Sequence, residues 1–145
     1  MSPTTRSVAL IGAPTDIGAG HRGSSMGPEA LRVARLGERL AKRGMHVVDR
    51  GNLTGPLNPW LPPTDGYRHL DAVVAWNTSV HEAVHAELSE GRLPIMLGGD
   101  HCLAIGSISA VARRQAVSPS YSSASLRPPS PIFCRRPGSF SIISI

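Results

Sequence analysis

Apolar residues form three short continuous runs, and three longer segments carry apolar residues at helical spacing between and after these runs. The continuous runs cover residues 7–13, 45–49 and 93–97, and the periodic segments cover residues 28–44, 70–90 and 103–114. Short continuous apolar runs are typical of buried parallel strands, whereas spacings of three and four residues predict helices. The resulting order, β-α-β-α-β-α, predicts an α/β protein with a parallel, doubly wound sheet.

The chain changes character at Gln115. Residues 115–145 are rich in serine and proline, and no helix or strand period in them persists beyond a few residues. Such a segment buries too little apolar surface to offset the conformational entropy lost on folding. The sequence therefore predicts a flexible N-terminus over residues 1–6, an α/β portion over residues 7–114 and a disordered, low-complexity tail over residues 115–145.

The positive charge of the chain belongs mostly to this tail. The formal net charge is +5 and the sequence pI is about 10.2, but no Asp or Glu follows Asp100. The basic residues are scattered, so we expect no nucleic-acid surface. Two cysteines fit a reducing compartment, and the apolar stretch near the N-terminus is too short for a signal peptide or a membrane span. We therefore expect a cytoplasmic protein without a membrane partner.

The best-placed chemical motif is Gly98-Gly99-Asp100-His101, which directly follows the third apolar run. Functional groups of open α/β sheets sit where a strand ends and the next helix begins. The two glycines are expected to turn the backbone there through positive φ, which would place His101 at the mouth of the sheet. One imidazole does not hold a catalytic metal, however, and Cys102 is expected to be a small buried residue rather than a nucleophile.

A glycine-rich segment, Gly18 to Gly23, matches the spacing G-x-G-x-x-G. In a dinucleotide site the first glycine directly follows the strand and the motif opens the helix. Here four residues, 14–17, lie between the end of the first apolar run at Ala13 and the first glycine of the motif. The helix is expected to begin only at Pro28. A flexible loop with several tight turns is therefore the favoured interpretation.

A second motif, His81-Glu82-Ala83-Val84-His85, matches H-E-x-x-H on a predicted helix. This spacing places both imidazoles on one face and leaves Glu82 able to act as a base, as in zinc peptidases. The extended form of the motif needs Gly and His where this chain has Leu88 and Gly91. Two exposed histidines on an amphipathic helix are the simpler interpretation, and a zinc peptidase is kept as an alternative.

In combination, several segments resemble the N-terminal part of arginases, which belong to the ureohydrolase superfamily. The segments are Ile11-Gly12-Ala13-Pro14, Gly18-Ala19-Gly20, Arg22-Gly23, Met26-Gly27-Pro28, Leu31-Arg32, residues 48–53 and Leu97-Gly98-Gly99-Asp100-His101. The early loop is closer to arginase than to agmatinase, and the resemblance covers residues 7–114. It implies a three-layer α/β/α fold with a parallel sheet, of which this chain carries an incomplete part.

The resemblance also implies a function and a metal. Arginases use two manganese ions to hydrolyse L-arginine to L-ornithine and urea, and they assemble as trimers or hexamers. His101 would be a ligand of the first manganese ion, with Cys102 where the family usually has serine. The family's further ligands lie in an Asp-Ala-His-Ala-Asp motif and a later Asp-x-Asp motif, neither of which occurs in this sequence. No catalytic or substrate-binding residue is therefore carried over.

The resemblance ends where the acid-free tail begins. We therefore expect a frameshift or truncation near residue 115 and an inactive fragment. A non-catalytic fragment that binds intact arginase subunits and another ureohydrolase, such as agmatinase, are the remaining alternatives.

Overall fold

The computed structural model describes residues 6–117 and 143–144. Its strands are β1 (Ser7–Gly12), β2 (His46–Asn52), β3 (Leu93–Leu97) and β4 (Ile143–Ser144), in the spatial order β2-β1-β3-β4. Its helices are α1 (Gly27–Val33), α2 (Leu36–Ala41), α3 (Leu70–Ser89) and α4 (Ala104–Val117), with short 3-10 helices at Ser24–Met26 and His101–Leu103. Every strand pair is parallel, which confirms the predicted α/β class.

The sheet is covered on both faces because successive side chains of each strand point to opposite sides. On one face, Val8 and Leu10 of β1 pack with leucines of α1 and α2. On the other face, Ile11 packs with the buried residues of α3 and α4, among them Val80 and Ala110. The helices therefore form two outer layers, and the predicted three-layer α/β/α arrangement is confirmed.

The single helix predicted for residues 28–44 is wrong, because the chain forms α1 and α2 with a break at Ala34 and Arg35. Arg35 has a left-handed backbone with φ of 60°. Leu31 and Leu36 both pack on the sheet, but five residues of continuous helix would separate their directions by about 140°. The break lets both leucines face the same layer.

The other predicted elements are close to the observed ones. The second strand extends to Asn52 rather than residue 49, and α4 extends to Val117 rather than residue 114. At the start of the chain, the Arg6 carbonyl accepts a hydrogen bond from the His46 N–H at 3.0 Å, so Arg6 is tied to β2.

Most of the predicted flexible ends lie outside the described residues, namely 1–5, 118–142 and 145. Within the predicted tail, Ile143–Ser144 pairs with Ile95 and Met96 of β3, a contact that the sequence pattern did not indicate. Within residues 6–117 and 143–144, no helix is long and apolar enough to cross a membrane.

A buried carboxylate fastens the C-terminal end of α3 to the sheet. Glu87, only 5% exposed, accepts hydrogen bonds from Arg50 of β2 at 2.8 Å and from Arg92, which immediately precedes β3. Burial alone would raise the pKa of Glu87, but hydrogen bonds from Arg92 and Arg50 outweigh it and hold that pKa below its ordinary value. The charged group thus joins α3 to β2, which is distant in sequence, and to the residue just before β3, which is five positions further along the chain.

Candidate functional site

The loops after β1 and β3 meet at the carboxyl edge of the sheet. The Ala13 N–H donates to the Leu97 carbonyl at 3.0 Å, and the Asp100 N–H donates to the Thr15 carbonyl at 3.0 Å. Parallel neighbouring strands end at the same edge, so their following loops necessarily lie side by side. These two hydrogen bonds fix the position of the Gly98-Gly99-Asp100-His101 segment.

The expected reason for the two glycines is wrong. Neither Gly98 nor Gly99 has positive φ. Instead, a Cβ atom on Gly99 would collide with the carbonyl oxygens of Ala13 and Thr15, and would lie 2.8 Å from the Thr15 nitrogen. Gly99 is therefore required by the close approach of two backbones rather than by a left-handed turn.

Asp100 shapes the turn that follows. Its side chain caps the short 3-10 helix, since Oδ1 accepts from the Cys102 N–H at 3.3 Å. Its Oδ2 atom is buried and finds no hydrogen-bond partner among the described residues, and a Cβ atom on Gly18 would lie 2.7 Å from it. The carboxylate therefore faces into the turn, where it supports the backbone beside His101.

His101 occupies the place that the sequence predicts. It opens the 3-10 helix directly after Asp100 and is exposed to solvent. Its role as a manganese ligand remains a prediction. Within residues 6–117 and 143–144, no group of three or more His, Cys, Asp or Glu side chains could hold a metal ion. A binuclear manganese site needs several oxygen ligands, so the described residues do not by themselves fit that cofactor.

Cys102 is half-buried beside this turn. Burial raises the pKa of its thiol to about 11, and the charge of Asp100 contributes in the same direction. Because the thiolate is the nucleophilic form, a thiol with this pKa stays protonated and unreactive at neutral pH. The raised pKa makes Cys102 a poor nucleophile, in line with the expectation, but its side chain is half-buried rather than buried.

The glycine-rich loop folds around Asp16, a residue that the sequence pattern did not single out. Asp16 is 8% exposed and accepts hydrogen bonds from the hydroxyls of Ser24 and Ser25 at 2.6 and 2.7 Å. Burial would raise the pKa of Asp16, but the serine hydrogen bonds outweigh it and lower that pKa. An acid shortly after a buried strand is the signal that could have found Asp16, because the same criterion selected Asp100.

The spacing of the loop differs from that of a dinucleotide site. Gly18 lies six residues beyond the end of β1, and a 3-10 helix at Ser24–Met26 precedes α1. The interpretation as a loop with several tight turns therefore agrees with the structure.

A cavity of about 640 Å³ lies beside this loop, and His101 is not among its lining residues. Its polar lining includes Asp16, Arg22 and Asn58. The Arg22 guanidinium lies 5.0 Å from the Trp60 ring centroid, a cation–π distance. Asn58 in turn donates to the Asp16 carbonyl at 2.6 Å. The cavity is therefore formed mainly by the loops after β1 and β2.

The H-E-x-x-H residues lie on α3, as predicted, and Glu82 is exposed, but both histidines are half-buried rather than exposed as expected. The His81 and His85 rings are nearly parallel, at an angle of 8° with centroids 6.1 Å apart. Since the described residues contain no group of three candidate ligands, they supply no third protein ligand for a zinc-peptidase site.

Comparison with known proteins decides the family. The family model described as the Arginase family matches residues 6–119. The chain belongs to the arginase family. An arginase of Brevibacillus brevis is 38% identical over 108 residues, which is 74% of this chain and 36% of that protein. The family match runs five residues past the boundary predicted at residue 114.

Solved arginase structures share the fold. The arginase of Bacillus caldovelox superimposes with a TM-score of 0.69 and 34% identity, over 76% of this chain and 38% of that chain. An arginase of Bacillus subtilis gives a TM-score of 0.67 and 34% identity, over 75% of this chain and 36% of that chain. This arginase-family chain therefore spans about a third of the length of the relatives it matches.

Proposed function

We propose that the residues of this chain form part of a manganese-dependent arginase, which hydrolyses L-arginine to L-ornithine and urea. The observation that carries the proposal is the Gly98-Gly99-Asp100-His101 turn at the carboxyl edge of a parallel sheet, inside the arginase-family match over residues 6–119. His101 is the residue of this chain that we assign to a manganese ion. Its exposed imidazole at the sheet edge is compatible with that role.

We further propose that the 145-residue chain alone is inactive. Its described residues offer His101 but no group of three potential ligands, and no Asp or Glu follows Asp100 in the sequence. A carboxylate-poor segment cannot supply the hard oxygen ligands that manganese prefers. In this proposal the chain contributes one side of the site, and binding of two manganese ions and turnover need residues that this chain does not carry.

The direct test is a urea assay on the purified 145-residue chain with and without added Mn²⁺. We expect no urea above the level of buffer with Mn²⁺. Clear Mn²⁺-dependent turnover would show that the chain completes a site by itself and would overturn the proposed inactivity. The assay is run in parallel with agmatine, because turnover of agmatine but not of L-arginine would favour the agmatinase alternative.

Membership of the arginase family is also the basis for proposals about how the protein assembles and where it is located. Arginase subunits would bind one another as trimers or hexamers in the cytoplasm. A fragment that binds intact subunits would co-purify with a tagged full-length arginase, whereas a fragment without this property would elute separately. Size-exclusion chromatography of the mixture distinguishes the two outcomes.

A further inference from the structure

Two histidines outside the proposed manganese edge are arranged on one helical face. His81 and His85 are four residues apart on α3, and residues at this spacing are neighbours on a helix surface. Their rings are nearly parallel, with an angle of 8° and a centroid separation of 6.1 Å. The proposed arginase site does not include this pair.

A serine of the neighbouring helix orients the first imidazole. The Nδ1 atom of His81 lies 2.8 Å from the Ser109 Oγ atom of α4. The Ser109 hydroxyl donates its own proton to the Gly106 carbonyl at 2.8 Å, so its oxygen is left to accept from Nδ1–H. Because that tautomer carries its proton on Nδ1, the Nε2 lone pair of His81 is free to bind a metal ion.

Close packing of α3 and α4 holds this serine in place. The Gly106 N–H donates to the Asn77 Oδ1 atom at 2.6 Å. A Cβ atom on Gly106 would lie 2.5 Å from the Asn77 carbonyl oxygen, so only glycine permits the approach. Asn77 is one helical turn before His81, and Gly106 is one turn before Ser109. The contact therefore fixes the spacing between the two helices at the His81–Ser109 pair.

We propose that His81 and His85 form a two-histidine site for a divalent transition metal ion of borderline softness, namely Ni²⁺, Cu²⁺ or Zn²⁺. Imidazole suits these ions, whereas Mn²⁺ prefers carboxylate oxygen. The metal–nitrogen bonds are about 2.0–2.1 Å long, so both Nε2 atoms must point at one ion, and rotation of the His85 side chain would achieve this while Ser109 holds the His81 ring. Both side chains are half-buried rather than enclosed, which leaves room for that rotation.

The two-histidine site lies apart from the proposed manganese site. Ser109 follows His101 by eight residues, which along a helix is roughly 12 Å, so the pair is separate from the manganese edge. It also differs from a zinc peptidase, because the described residues supply no third protein ligand. The remaining coordination positions would be filled by water.

The test is a calorimetric titration of the intact 145-residue chain with Ni²⁺. We expect one ion per chain, and we expect His81→Ala and His85→Ala each to weaken the affinity by at least about tenfold because chelation is lost. Ser109→Ala should weaken it by less, since it removes only the orienting acceptor. Wild-type affinity in either histidine variant would overturn the proposal.

His46→Ala is the matched control. The His46 ring also contacts a serine hydroxyl, with Nδ1 3.2 Å from Ser7 Oγ, but it has no second imidazole at helical spacing. Its removal should leave the affinity unchanged, and an equal loss in this variant would contradict the assignment. Circular dichroism checks that each variant is folded. Paramagnetic broadening by Ni²⁺ of two imidazole signals in the unmodified chain provides a readout that needs no variant, and broadening confined to other histidines would also overturn the proposal.

Discussion

The backbone N–H of Asp100 donates a hydrogen bond to the carbonyl oxygen of Thr15 at 3.0 Å. This contact joins the loop after β3 to the loop after β1, although 85 residues separate the two positions. It requires the backbones to approach so closely that Gly99 has no room for a side chain. Backbone packing therefore builds the edge that presents His101.

Replacing Gly99 by alanine should destabilise the chain by about 1–3 kcal/mol, because the new methyl group overpacks a backbone contact. Gly20→Ala is the matched control, since no atom lies within 4 Å of the Cβ position there. Its effect should stay within about 0.5 kcal/mol. Urea unfolding followed by circular dichroism measures both. Equal free energies of unfolding of the two variants would show that the backbone around Gly99 has room for a methyl group.

The strand that leads to this turn depends on Leu97, whose side chain is fully buried. Leu97→Ala should lower the free energy of unfolding by about 2–5 kcal/mol, because it removes buried surface and leaves a cavity. Leu57→Ala removes the same atoms from a side chain that is 91% exposed, and it should have almost no effect. The comparison shows how much of the loss is due to burial, since the same atoms are removed from an exposed position, and similar losses in both variants would contradict the placement of Leu97.

The free energy of unfolding should depend on pH through the carboxylate of Glu87. Its pKa is lowered in the folded chain, so its stabilising contribution is present above the unfolded-state pKa of about 4.3 and is lost as the pH falls through the folded-state pKa. Glu87→Gln should cost roughly 1–3 kcal/mol at pH 7. The difference between wild type and variant should shrink as the pH is lowered towards 3.

Glu82→Gln is the control for Glu87, because Glu82 is an exposed residue of the same helix. Chemical unfolding at several pH values measures the free energy of unfolding of all three proteins. A constant difference between wild type and Glu87→Gln from pH 7 to pH 3 would show that the Arg50 and Arg92 contacts do not act through the charge of Glu87.

The thiol of Cys102 should react slowly with alkylating agents. Its pKa of about 11 leaves far less thiolate at pH 8 than a free cysteine has. Cys134→Ser leaves Cys102 as the only cysteine, and its alkylation by iodoacetamide should be roughly tenfold or more slower than that of a free thiol. Adding Asp100→Asn removes one cause of the raised pKa and should speed the reaction. A free-thiol rate in the Cys134→Ser protein would contradict the buried environment.

The elements that could be predicted from sequence are those set by local pattern. The continuous apolar run before Gly98 predicts β3, and the long helical period predicts α3, whose observed range is Leu70–Ser89. Helix and strand periodicity are direct consequences of burying one face or both. The position of His101 at the sheet edge followed from the same local logic.

The features that the sequence pattern did not predict depend on contacts between distant segments. The break at Arg35 has no glycine or proline to mark it and exists because Leu31 and Leu36 must face the same layer. The role of Asp16 depends on Ser24 and Ser25 folding back over it. The pairing of Ile143–Ser144 with β3 likewise joins positions that share no local pattern.

Residues 6–117 are proposed to supply an arginase metal edge on which His101 is a ligand. The most direct measurement joins these residues to the remaining part of the Bacillus caldovelox arginase and assays Mn²⁺-dependent urea release from L-arginine. We expect the chimera to be active and His101→Ala to lower kcat/KM by at least about a hundredfold, while the control His46→Ala leaves it unchanged. An active chimera in which His101→Ala keeps full activity and full Mn²⁺ content would contradict the proposed role of His101.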